Sequence, residues 1–375
     1  MQFSRMQITR NKGDIILVIL FIFIQALLLY FIGIYTKEES TKYLEESANL
    51  LNNGHFSEPK YLFYSGYIGV HVIARATGIG ITGVYIIQLL LNGIATICFY
   101  NLTETITNNK LVARLATAML ICCIPFQAWT TFLFTESFFF SILLIYIFLL
   151  FKKTYSAASI ILAIFIGALV VISRPTGLLI IPASTLLLAM RLYRSERKLL
   201  AALSFIPAIL IFAALGNLAM KGQGEFDFMK PFIEQHVICG LEGEKYNADL
   251  PADGNSLGGL VYYITHNFPQ SIKLAGQRML AFFGLIRPYY STLHNILLIA
   301  AFYPVYIFAI VGIRSVYKTN RQFVIFFLVL LLTFTLSVLV SCDDWHNRFI
   351  MPVMPVILLF AARGFYQTFS RSSFL

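Results

Sequence analysis

Charge is what this sequence has least of. Only 12% of its 375 residues are Asp, Glu, Lys or Arg, whereas 58% are hydrophobic. A soluble domain carries about 25% charged and roughly 45–50% apolar residues. The polar surface is too small to coat a globule in water, so a soluble enzyme of two or three domains is excluded. The same shortage excludes a disordered chain. Cys98, Cys122, Cys123, Cys239 and Cys342 show no CxxC spacing and no paired framework. Three of them fall in apolar runs and read as packing. P-loop and dinucleotide fingerprints are missing, and GIGITG at 78–83 follows no strand, so it reads as a loop entering a span. Internal repeats and symmetric broken helices are missing too, which weakens a secondary-transporter reading.

What the chain does have is long apolar runs. A spanning helix needs about 20 mostly apolar residues. Runs of that kind lie near 14–36, 82–102, 111–130, 137–151, 155–173, 177–192, 199–219, 291–313, 323–341 and 349–366. The expected fold is therefore all-α, a polytopic bundle of about ten spans with loops and amphipathic helices on its outer face. The first run is too long for a signal peptide and lacks a small-residue cleavage site. Three parts are expected: residues 1–219, membrane helices with a first outer loop at 37–81; residues 220–290, a large outer loop; and residues 291–375, the last spans.

The net charge of +10 is then a topology signal. With the N-terminus inside, the inner segments hold sixteen of the 28 basic residues and only Asp14, Glu104 and Glu196 among the acids. Every short inner loop is basic, as bases near span ends on the inner side should be. Nucleic acid is not an expected partner, because no basic patch is interleaved with aromatics in a soluble module. All six histidines fall on the opposite, outer side.

The first outer loop opens with TKEESTKYLEESANLLNNGHF at 36–56. Read as a helix, Glu39, Tyr43, Ser47 and Leu50/Leu51 form one stripe, and Gly54 closes it as a C-cap. The stripe puts a carboxylate at the membrane surface with an aromatic ring one turn along. Glu45 and Glu46 read as a solvated acidic face.

This pattern resembles the first-loop signature of the GT-C glycosyltransferases. They include the protein O-mannosyltransferases and the lipid A aminoarabinose transferases, and the chain looks similar to glycosyltransferase family 39. Four later stretches resemble that family in order: FTESFFFSILL (134–144), SRPTGLLIIPA (173–183), IRPYYSTLHN (286–295) and NRFIMPVMPVILL (347–359). The chain departs from the usual Asp by having Glu38-Glu39, which leaves open which of the two acts. The large loop at 220–290 matches least.

The resemblance implies transfer of a sugar from a polyprenyl phosphate to a glycan, lipid or protein acceptor. Transfer would invert the anomeric centre, and the glycan would belong to the cell envelope. It also implies a multi-pass protein of the bacterial inner membrane with its site facing outward. Glu39, Glu38 and Glu136 are the catalytic candidates, since a carboxylate by the acceptor serves as general base. Departure of a lipid phosphate calls for cations, and arginine holds phosphate oxygens bidentately. Arg174 and Arg348 sit at outer span ends, with Arg287 and Lys60 as second choices.

Each candidate has a plainer reading. Arg174 could snorkel from a span end, and Arg348 could pair with Asp343 or Asp344. Glu136 lies between apolar runs, where an ionisable group points to function. A pairing of Glu136 with Arg174 could be structural and still essential. Tyr43, Tyr64, His294 and His346 are substrate-binding candidates. Tyr61, Phe63, Tyr64 and Tyr67 read first as an interfacial belt. No cofactor is implied with certainty. Asp343, Asp344 and His346 make a weak corner for a divalent metal, with too few ligands to define a site. Two rival functions stay open. An O-antigen or exopolysaccharide polymerase would carry its key arginines in the second loop. A transporter or flippase would carry charge in mid-span.

Overall fold

The structure, a computed structural model, describes residues 12–220, 229–241, 243, 246–250, 256–343 and 345–372. Helix is the only extended secondary structure among the described residues, beside two isolated bridges, Tyr35 with Phe132 and Ile238 with Asp343. The fold is a polytopic all-α bundle.

Each of the ten apolar runs is helical at its centre, but they are not alike. Among the described residues, six helices are long and apolar enough to cross a membrane alone: Lys12–Ile32, Gly80–Thr107, Pro175–Arg194, Lys198–Ala219, Thr292–Thr319 and Arg321–Val340. The expected straight span at 111–130 is instead a pair, Lys110–Ile121 and Ile124–Thr130, bent by 64°. Pro125 sits in the first turn after the break, where proline starts a helix but cannot continue one. Thr135–Leu150 and Ala157–Val171 are apolar but shorter. They join through a turn that the Ser156 hydroxyl caps by accepting from the Ser159 N–H. The last run becomes helical only at Met354. Residues 350–362 are buried throughout, so this segment is the centre of the bundle.

A chain of buried amides fixes the segment that leads into Glu136. Gln25 donates to Gln127 Oε1 (2.8 Å), and Thr130 donates to Gln25 Oε1 (2.6 Å). Gln88 donates to the Thr130 and Phe132 carbonyls, both at 3.1 Å, and accepts from the Tyr67 hydroxyl at 2.6 Å. In an apolar interior such groups must satisfy each other, so the network specifies one arrangement of these helices.

Each end of the bundle has its own polar contacts. At one end Arg114 pairs with Asp14 at 2.9 Å, and Arg363 donates to Ser315 at 3.1 Å. Both pairs join segments assigned to the inner side. At the other end, three segments of the large loop fold as the helices Lys230–Ile233, Leu257–His266 and Phe268–Gly284. A small core of Met229, Phe232, Tyr263 and Leu274 holds them together. Arg278 is fully buried there and donates to the carbonyls of His236, Leu339 and Pro231 at 2.8–2.9 Å.

One expectation from the cysteines is overturned: Cys239 and Cys342 form a disulfide. The bridge joins the large loop to the turn before Arg348, and the Cys239 N–H donates to the Asp343 carbonyl beside it at 2.7 Å. With the two cysteines 103 positions apart, no spacing rule could have paired them.

Candidate active site

The stripe beginning at Glu39 is a real helix, Glu39–Asn53, ended by Gly54 in the left-handed conformation with its N–H on the Leu50 carbonyl. Tyr35 exchanges backbone hydrogen bonds with the stretch before Glu136: its N–H donates to Thr131 at 2.9 Å, and its carbonyl accepts from Leu133 at 3.0 Å. That short pairing delivers Glu39 and Glu136 to the same place. Glu38 precedes the helix with φ 54°, a costly conformation for a side chain with a Cβ, and is exposed.

Arg174 reaches the same place through its turn. Gly177 is required there, because a Cβ on it would stand 2.1 Å from the Val170 carbonyl oxygen. Arg348 is aimed by two successive residues with positive φ, His346 (55°) and Asn347 (59°). The Asn347 side chain donates to the Leu285 carbonyl at 2.8 Å, which anchors the turn.

Four ionisable side chains therefore meet. Arg348 Nη1 lies 2.8 Å from Glu39 Oε1 and 3.2 Å from Glu136 Oε1. Arg174 pairs with the same Glu136 oxygen. Glu136 is fully buried, and the two guanidiniums flank the Phe349 ring. Lys42, unrecognised in the sequence as a site cation, lies 3.9 Å from Glu39, one helical turn on. Its (i, i+3) offset from Glu39 was the available signal.

Burial raises the pKa of Glu39, but the charges of Arg348, Lys42 and Arg174 outweigh it and hold the carboxyl at about 2. Tyr43 is fully buried against Tyr64 (5.6 Å) and Tyr67 (5.2 Å). Burial, then Tyr64 and Glu39, hold its phenol well above the usual range, so it stays a neutral hydroxyl. Its oxygen has no hydrogen-bond partner among the described residues. His71 packs edge-on to Tyr67 at 4.8 Å, and burial followed by Arg75 lowers its pKa to about 4.

Other candidates stand apart. Arg287 is buried and paired with Asp343, and also donates to the Ala281 carbonyl at 2.9 Å. Asp343 is thus Arg287's partner, and Arg348 takes the two glutamates in its place. Lys60 lies 3.1 Å from Glu58. His294 and His346 both stack on Tyr290, with ring centroids 4.1 and 6.3 Å away, and His346 Nδ1 lies 3.4 Å from the Tyr290 hydroxyl. Asp344 lies outside the described residues, and among those described no three His, Cys, Asp or Glu side chains gather as metal ligands. Glu46 corrects another reading: it is buried, not solvated, and accepts from the Ser57 N–H at 2.7 Å.

No family model matches the sequence. No curated protein matches it either. Its fold, in contrast, has solved counterparts. The archaeal oligosaccharyltransferase AglB from Archaeoglobus fulgidus, solved with an inhibitory peptide and a dolichol-phosphate, superposes with a TM-score of 0.54 at 15% identity, covering 97% of this chain and 51% of that one. The same organism's oligosaccharyltransferase tethered to an acceptor peptide gives 0.52 at 13% identity, covering 95% and 50%. ArnT from Cupriavidus metallidurans in the apo state gives 0.47 at 12%, covering 94% and 60%. The chain has the GT-C fold and spans about half the length of the oligosaccharyltransferases.

Proposed function

We propose that this protein is a membrane glycosyltransferase that moves a sugar from a polyprenyl phosphate to an acceptor hydroxyl or amine. The observation that carries the reading is the meeting of Glu39, Glu136, Arg174 and Arg348 from four distant parts of the chain. Two arginines on one carboxylate oxygen are more cation than that oxygen needs. An incoming phosphate, with several acceptor oxygens, would draw Arg348 to itself. The fold of a protein solved with dolichol-phosphate supports the same class of donor.

The mechanism follows from the charge balance. At a pKa of about 2, Glu39 is a weak base, because general bases work best near the operating pH. Donor phosphate on Arg348 would cancel the charge that holds the carboxyl down. Glu39 would then take the proton of the acceptor as its oxygen or nitrogen attacks the anomeric carbon. The bond to the lipid phosphate breaks on the far side, and the anionic leaving group stays on Arg348 and Arg174. Inversion follows from attack opposite the leaving group.

The disulfide supports an outward-facing site, because such bonds persist in oxidising compartments. A bacterial inner membrane fits that orientation. The polymerase alternative loses its expected arginines, since Arg278 and Arg287 are committed to backbone carbonyls and Asp343. Incubating the purified protein with a panel of polyprenyl-phosphate sugars tests the proposal. Release of free polyprenyl phosphate with an acceptor, slowed about 10²–10⁴-fold in Glu39→Gln, is the expected result; no turnover of any such donor would sink it.

A further inference from the structure

The end of the bundle remote from Glu39 carries a feature that sugar transfer does not use. A cavity of about 520 Å³ opens between the helices Thr292–Thr319 and Met354–Ser372. Those helices touch backbone to backbone at two glycines. A Cβ on Gly312 would stand 1.8 Å from the Phe360 carbonyl oxygen, and one on Gly364 1.9 Å from that of Phe308. Small residues permit such an approach between membrane helices. One turn further along, Ser315 and Gln367 replace the glycines and the cavity begins.

Its lining is cationic. Arg314 and Lys318 come from one helix and Arg363 from the other, and among the described residues no acidic one lines it. Arg363 donates to Ser315 across the gap at 3.1 Å. The Gln367 side-chain oxygen is buried with no partner among the described residues, an acceptor placed to receive a hydroxyl. A bias toward bases on the inner side accounts for charge at this end. It does not account for three bases from two helices converging on one cavity without a carboxylate.

The surface above the cavity is apolar. Ile307 and Ile310 lie seven and four positions before Arg314, on the same helix face, and are 63% and 58% exposed. One stripe thus runs from exposed isoleucines to Arg314 and Lys318, matching an acyl chain that ends in an anionic head. Arg314 lies 20 residues along the helix from His294, about 30 Å at 1.5 Å per residue. The cavity therefore faces the leaflet opposite the candidate active site.

We infer that this cavity binds the phosphate of an anionic lipid headgroup in that opposite leaflet. A headgroup carrying both a phosphodiester and a free hydroxyl suits the bases and the Gln367 oxygen together. The whole protein, placed in phosphatidylcholine nanodiscs doped with phosphatidylglycerol, would be released for native mass spectrometry. Wild type should retain phosphatidylglycerol, and each charge removed by Arg314→Gln and Arg363→Gln should weaken retention about fivefold. The Arg314→Lys/Arg363→Lys variant should keep most of it. Arg314→Gln alone, at an exposed position, serves if the double variant does not fold. Displacement of the lipid by added inorganic phosphate would uphold the site and reassign its ligand to solution. Equal retention by wild type and the Gln variants, or none above the phosphatidylcholine background, overturns the inference.

Discussion

Arg348 Nη1 and Glu39 Oε1 stand 2.8 Å apart although 309 positions separate the residues in sequence. The contact joins the helix Glu39–Asn53 to the turn ahead of the central helix, closing the site with residues from the two halves of the chain. It also explains why Glu39 is held so far below an ordinary carboxyl. Glu39→Gln keeps the shape and removes the basicity. We expect a loss of 10²–10⁴-fold in kcat, the usual scale for a general base, with donor KM near normal. Glu38→Gln, at an exposed position outside the cluster, should retain activity. The reverse outcome for the two variants would move the role to Glu38.

Acid should unfold the protein in two separable stages. His71 has a folded pKa of about 4, below its usual 6.5, so its contribution is full above 6.5 and is lost as pH falls from 6.5 to 4. Glu39, at about 2 against 4.5, contributes above 4.5 and loses that contribution as pH falls toward 2. Tm measured against pH should therefore slope in both windows. His71→Phe should flatten the upper one and Arg348→Met the lower. An unchanged lower window in Arg348→Met would show that Arg348 does not hold Glu39 down.

Much of this was legible in the sequence because local rules suffice for it. Hydropathy placed the helices, and the Glu39–Tyr43–Gly54 stripe is a matter of helical period and one left-handed cap. The Arg174–Glu136 pair could be anticipated because both residues stand alone at apolar span ends. Glu46 escaped, since its burial depends on Ser57 folding back eleven residues later. Asp343, the neighbour offered to Arg348, pairs with Arg287 instead, because adjacency in sequence says nothing about which way a turn with two positive-φ residues aims its side chains. The disulfide was hidden by its long separation.

That disulfide gives a prediction about both stability and sidedness. Cys342→Ser should lower stability by 2–5 kcal/mol, the range for removing a native bridge, and abolish the mobility change on non-reducing gels. It should also raise donor KM, because residue 342 begins the turn that aims Arg348. In intact cells, a membrane-impermeant maleimide should label wild type at these cysteines only after mild reduction. Labelling that needs permeabilised membranes would place this face inside and reverse the proposed orientation.

The two arginines should separate stability from donor use. Arg174 is buried on the fully buried Glu136, so Arg174→Ala leaves that carboxyl with only the longer 3.2 Å contact to Arg348. Breaking a buried pair outright costs about 3–5 kcal/mol, and Arg348 should hold the loss below that. Replacing both partners, as in Glu136→Gln/Arg174→Met, should restore much of that stability and no activity. Arg348 is less enclosed, with 14% of its side chain exposed, and Glu136 keeps Arg174 when it is gone. Arg348→Ala should therefore fold with a smaller loss of Tm, yet use donor poorly. Lysine retains the charge but not the fork that holds two phosphate oxygens. Arg348→Lys should thus weaken donor use by roughly 1–3 kcal/mol, the worth of one hydrogen bond to a charged group. Arg174→Lys should show the same penalty if it too meets phosphate. Normal donor kinetics in Arg174→Lys, beside a clear defect in Arg348→Lys, would make Arg174 the fixed counter-ion of Glu136 and leave the phosphate to Arg348 alone.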